Sequence, residues 1–177
     1  MCPVDVSIIV ACEEEQQQLR QLLPQLLSLR YERAYEVIVV DKLHDKDMEE
    51  WLEEMEVLHP NLCHTFCSTT ARGLDIHKLA LTLGAKAASY EWLAILPVDV
   101  KLQSGDWLEQ LAACCDEETV VAVGITNRKR RLNRFTSFFY RRRFSLFRPT
   151  SSAIFCRRSS LLQGEDVKSS NCKVVKL

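Results

Sequence analysis

No apolar run in the 177 residues approaches the roughly 20 residues a helix needs to cross a bilayer. Met1–Cys12 lacks the basic start, apolar centre and small-residue cleavage site of an export signal, so a cytoplasmic protein is expected. There is no internal repeat and no low-complexity linker. The length suits one core and is short for two. Without an export signal, the eight cysteines read as reduced thiols rather than a disulfide framework. Acidic residues are missing from one stretch altogether. From Arg128 to Arg158 there are eleven basic side chains and no acidic one, which leaves 12 basic against 24 acidic residues elsewhere. A net charge of −1 therefore hides a split that points to a localised anionic partner.

What is present is an alternation of apolar runs and helical patterns. Val4–Ala11 and Tyr35–Val40 are β-branched runs that read as buried strands, the second ending at Asp41. Leu62–Cys67 reads as a third strand, Trp92–Leu96 as a fourth, and Val120–Ile125 as another. Between them, Leu19, Leu22, Leu23, Leu26 and Leu27 recur at helical spacing, with Pro24 expected to kink or shorten that helix. Asp45–Leu58, Asp75–Ser89 and a short Ser104–Cys115 segment read as further helices. Strands and helices in this order imply βαβ units and a mainly parallel α/β sheet with helices on both faces. Ser152–Cys156 is a candidate to rejoin the sheet, and residues 167–177 read as a frayed tail.

Ligands of such sheets gather beyond the carboxyl ends of the strands. Asp41 and Asp99 stand there. Asp41 also has a plainer reading, as a loop or helix-cap residue, and Glu15 reads first as a first-turn acid favoured by the helix dipole. His77 and Lys78 read first as surface residues of a helix, with phosphate contact near its start as the alternative. His59, Cys63, His64 and Cys67 do not make a metal site, because alternate strand residues point to opposite faces.

VSIIVACEEE, VIVVD and HKLALTLGAKAASYEWLAILPVDV, in this order and spacing, resemble family 2 glycosyltransferases of the GT-A type. The resemblance implies a Rossmann-like nucleotide-binding fold and transfer of a sugar from a nucleoside-diphosphate sugar, most of all a UDP-sugar, to an acceptor hydroxyl. It implies one domain over 1–166, with a nucleotide-binding half (1–127) and a basic, aromatic acceptor-side segment (128–166). Nucleotide-sugar contacts fall on Glu15, Asp41, Lys78 and Asp99, with Asp99 also holding Mg2+ or Mn2+. The catalytic base falls on Asp166 in Gly164-Glu165-Asp166. Cell-envelope polysaccharide biosynthesis is the implied setting.

Three positions depart from the family pattern at the ligand-facing end. Glu14 replaces Asn, Lys42 replaces the second Asp after Val40, and Pro97 replaces the first Asp of the metal pair. These departures open an alternative, a catalytically inactive module that binds a partner or a membrane surface. The Arg128–Arg158 segment, interleaved with Phe135, Phe138, Phe139, Tyr140, Phe144 and Phe147, suits an anionic membrane surface at the inner face or a phosphate-bearing acceptor. Nucleic acid ranks behind both, since no RNA- or DNA-binding motif accompanies the charge.

Overall fold

The computed structural model describes residues 4–67, 76–102, 105–113, 121–125, 152–163 and 172–176. Apolar runs without polar alternation give strands covered on both faces. They are β1 (Val6–Cys12), β2 (Tyr35–Asp41) and β4 (Trp92–Leu96), whereas β3 (Leu62–Phe66) lies at the sheet edge with only Leu62 buried. With β5 (Val121–Ile125), β6 (Ser152–Arg157) and β7 (Cys172–Lys176) they form one sheet in the order β3-β2-β1-β4-β6-β5-β7. β1 pairs in parallel with β2 and β4, and β2 with β3. β6 alone runs the other way, antiparallel to β4 and β5, while β5 and β7 are parallel. The expected α/β, mostly parallel architecture is the one observed.

The helices are α1 (Gln16–Leu27), α2 (Lys46–Leu58), α3 (Ile76–Ala87), α4 (Trp107–Ala112) and α5 (Arg158–Gln163). Strand side chains alternate between the two faces, and so do the helices. Leu19, Leu23, Met48, Leu52 and Trp107, from α1, α2 and α4, pack on Ile8, Val10, Val37 and Val39. Ala80, Leu81, Ala85 and Leu161, from α3 and α5, pack on Ile9, Ile38, Val40, Leu93 and Ile95. α3 comes close because it carries Gly84 there: a Cβ at that position would stand 2.8 Å from Ile9 Cγ2.

Two expectations are corrected. Pro24 does not end α1, which continues to Leu27, with the Ser28 N–H bonding the Pro24 carbonyl. Pro24 is exposed, so its ring meets solvent rather than the core. The chain end is also not simply a frayed tail, since Cys172–Lys176 add β7 beside β5.

β6 shows where part of the basic stretch goes. The Arg157 guanidinium lies 5.0 Å from the Trp92 ring centroid, and Trp92 stacks on Phe155 at 5.3 Å. The Arg158 N–H donates to the Glu91 carbonyl at 2.7 Å as α5 begins. These two arginines belong to the fold, and residues 126–151 lie outside the described ones.

Candidate functional site

Chain order sends β2 and β3 to one side of β1 and β4 to the other, so the crevice between the ends of β1 and β4 is the switch point of the sheet. The residues that follow β1, β2 and β4, the end of β3 and the first turn of α3 lie at this end.

Asp41 closes β2, in register with Cys12 of β1 and Phe66 of β3. It is 5% exposed. Its Oδ1 accepts the Leu43 N–H and its Oδ2 the Asp45 N–H, both at 2.9 Å. Asp45 in turn caps α2 by accepting the Met48 N–H. Asp41 therefore organises the β2–α2 loop, and each oxygen keeps acceptor capacity beyond these bonds.

Lys42 points back across the sheet. Its buried ammonium donates to Glu13 Oε2 at 2.8 Å, tying the end of β2 to the turn after β1. Glu13 is itself held, because its N–H donates to Glu15 Oε2 at 3.3 Å. Glu15, at the N-cap of α1, is exposed and uses its carboxylate on this turn rather than on the helix. Beside them, burial pushes the Cys12 thiol up to about 11, and the negative charges of Glu15 and Asp41 push the same way. Cys12 stays protonated at neutral pH and is no nucleophile.

In the β2–α2 loop, His44 has a left-handed backbone with φ 55°. Its ring lies flat on Phe66, 3.9 Å between centroids and 11° between planes, and its Nε2 lies 3.3 Å from Glu49 Oε2. Lys78 is exposed in the first turn of α3, with its carbonyl accepting the Thr82 hydroxyl. Asp99 is exposed in the turn after β4, which the Val100 N–H closes onto the Pro97 carbonyl at 3.1 Å. Asp166 and the glutamate before it lie outside the described residues.

A divalent cation fits this end only in one way. The Pro97 side chain offers no donor, and its carbonyl is engaged in the turn. No group of three or more His, Cys, Asp or Glu side chains converges among the described residues. Asp99 supplies one hard oxygen ligand. Mg2+-like ions are commonly held by one or two carboxylates with substrate phosphates completing the shell, so the fit is to a cation that arrives with a diphosphate.

Sequence reasoning placed Glu15, Asp41, Lys78 and Asp99 at one end of the sheet, and there they are. It missed Glu13, His44, Glu49 and Phe66. Nothing along the chain distinguishes Glu13 from Glu14 and Glu15, and the His44–Phe66 contact joins residues from different strands' ends.

The model of glycosyl transferase family 2 matches residues 7–164. The chain belongs to this family. Compared with curated protein sequences, it has no significant match. Among solved structures, family-2-like folds superpose closely. The mannosyltransferase PcManGT of Pyrobaculum calidifontis, in complex with GDP-Man and Mn2+, shares 15% identity at TM-score 0.68. TarS 1-349 of S. aureus shares 19% at 0.64, and glucosyl-3-phosphoglycerate synthase of Mycobacterium tuberculosis, with Mn2+ and UDP, 12% at 0.67. Likeness at these identities is likeness of fold. The alignments cover 100%, 90% and 98% of this chain but 55%, 49% and 70% of those chains. The chain thus spans about half the length of the first two.

Proposed function

We propose that the chain is the donor-binding part of a glycosyltransferase that moves a sugar from a nucleoside-diphosphate sugar to an acceptor hydroxyl. One observation supports the reading most: in a family 2 fold, Asp41 ends β2, Lys78 lies in the first turn of α3 and Asp99 follows β4, all toward the carboxyl end of the sheet. The neighbours' bound GDP-Man, UDP and UDP-GlcNAc support a nucleotide-sugar donor, and the UDP form is preferred here.

In this reading Asp41 and Glu15 bind the base side of the donor. Lys78 faces the diphosphate, with the dipole of the α3 start adding to its charge. Asp99 is the residue that would hold Mg2+ or Mn2+, which would supply charge stabilisation for the departing diphosphate. Asp166 accepts the acceptor hydroxyl's proton. The freed oxygen bonds the anomeric carbon as the bond from that carbon to the diphosphate oxygen breaks, which inverts the centre. The Arg128–Arg158 segment meets a phosphate-bearing acceptor or an anionic membrane surface. No helix among the described residues is long and apolar enough to cross a membrane, so such contact is peripheral. Cell-envelope polysaccharide synthesis is the proposed setting.

A second reading is favoured by Lys42 and Pro97. A buried ammonium bonded to Glu13 occupies the place of a family carboxylate, and the metal pair is halved. A catalytically inactive module that binds a partner or a membrane would keep this framework without turnover.

Calorimetry with UDP- and GDP-sugars, with and without Mn2+, tests the first reading, and sugar release from the bound donor separates it from the second. Binding that strengthens with Mn2+, together with sugar transfer or hydrolysis above background, is the expected outcome. Binding without turnover selects the inactive module, and no nucleotide binding removes the donor reading.

A further inference from the structure

An exposed pair of stacked rings on the β2–β3 side of this end of the sheet has no part in the core. His44 and Phe66 lie 3.9 Å apart and nearly parallel. The Phe66 residue is 44% exposed and the His44 side chain 45% exposed. Phe66 is the one aromatic among the exposed large hydrophobics of the described residues.

The pair is held rigidly. A left-handed backbone costs about 1–2 kcal/mol for a residue with a Cβ, although His tolerates it better than most. His44 adopts it at φ 55° because its neighbours in the chain are pinned on both sides. Asp41 accepts the N–H of Leu43 before it and of Asp45 after it. Glu49, in the first turn of α2, faces Nε2 of the ring. Phe66, on the strand beside Asp41, supplies the surface beneath. Three separate elements therefore present one flat face.

We propose that the His44–Phe66 pair is a stacking platform for the base of the donor nucleotide, with Glu49 as the residue that positions it. The inference rests on the donor reading above and adds to it the residues that hold the base by its face. A heterocyclic base suits the location better than a sugar does. It has a π face to lay on the rings and N–H groups at its edge, and Asp41, in register with Phe66, offers carboxylate lone pairs at that edge. The span agrees as well. From β3 to β4 there are three strand spacings of about 4.8 Å, roughly 14 Å. That separation lets a base on the β3 side and a diphosphate at Asp99 belong to one extended molecule.

The test measures the affinities of wild type and variants for UDP, GDP and inorganic pyrophosphate, all with Mn2+. His44→Gly removes one ring and relieves the left-handed backbone, so the fold is kept. Phe66→Leu removes the other while retaining apolar volume, and Phe66→Tyr keeps a ring. Base–aromatic stacking predicts roughly tenfold or greater weakening of UDP or GDP binding in His44→Gly and Phe66→Leu. Pyrophosphate affinity stays at the wild-type value, and Phe66→Tyr binds UDP like wild type. Glu49→Gln gives a smaller loss of UDP affinity, again without a change for pyrophosphate. Unchanged UDP binding in His44→Gly and Phe66→Leu overturns the platform while leaving the donor reading standing. Equal losses for UDP and pyrophosphate overturn it too, because the variants then act on the phosphate end. A wild-type protein that binds pyrophosphate but neither UDP nor GDP refutes the platform and the nucleotide donor together.

Discussion

The Lys42 side chain, 10% exposed, sets its ammonium 2.8 Å from the carboxylate of the half-exposed Glu13 side chain, and this contact closes the end of β2 onto the turn after β1. An ammonium taken out of water is costly unless paired, so the two residues depend on each other unequally. The ammonium needs the carboxylate more than the reverse, since Glu13 retains water on one side.

That asymmetry is measurable. Glu13→Ala leaves a buried ammonium without its partner and should lower stability by about 1–2 kcal/mol, less than for a fully buried pair because Glu13 is already solvated. Lys42→Met keeps the volume and removes the charge, and should cost little. Urea denaturation midpoints of the two variants check the order. Equal losses would mean that packing of the lysine stem, not the charge, is what matters.

Gly84 marks the closest approach of α3 to the sheet. Alanine there gains about 1 kcal/mol of helix propensity but places a methyl 2.8 Å from Ile9 Cγ2, in a core with no room to move. The overpacking cost, about 1–3 kcal/mol, should prevail, so Gly84→Ala lowers the melting temperature. Ile9→Val in the same chain removes only Cδ1, 3.4 Å from that methyl, and leaves Cγ2 in place, so it should restore little of the loss.

Asp99 bears the proposed metal contact without a core role, as an exposed residue of a turn. Asp99→Ala should therefore abolish the increment that Mn2+ adds to UDP affinity while leaving Mn2+-free binding near wild type. An intact Mn2+ increment in the variant would place the cation elsewhere.

The buried thiols make stability sensitive to alkali. Burial raises Cys12 from 9.0 to about 11 and Cys156 from 9.0 to about 12. The unfolded chain ionises these thiols first, so the folded state loses stability as pH rises from about 9 through about 11 to 12 and keeps it in full below that range. Denaturation midpoints at pH 8 and pH 10.5 should differ, and Cys156→Ala should reduce the difference. In the native state at pH 8, thiol reagents should label exposed Cys63 ahead of Cys12, Cys67 and Cys156, which are buried.

Much of the framework was legible along the chain because its signals are local. Val37–Val40 is an unbroken apolar run and Val6–Val10 is interrupted only by Ser7, the composition of strands buried on both faces. The reversal of β6 was not legible. Ala153–Cys156 reads the same in either direction, and only its pairing with β4 and β5 sets the sense. Pro24 misled for a related reason: a proline removes one helix bond, yet α1 is held by Leu19, Leu22, Leu23 and Leu26 packed on the sheet.

The sequence by itself determined the alternation of strands and helices, and with it the end of the sheet where Asp41 and Asp99 emerge. Hydrophobic period and strand polarity suffice for that. Only the tertiary structure decided that Glu13 rather than Glu14 or Glu15 meets Lys42, and that His44 lies on Phe66. Those choices depend on loop backbone angles and on which strands lie side by side, and neither leaves a periodic trace in the chain.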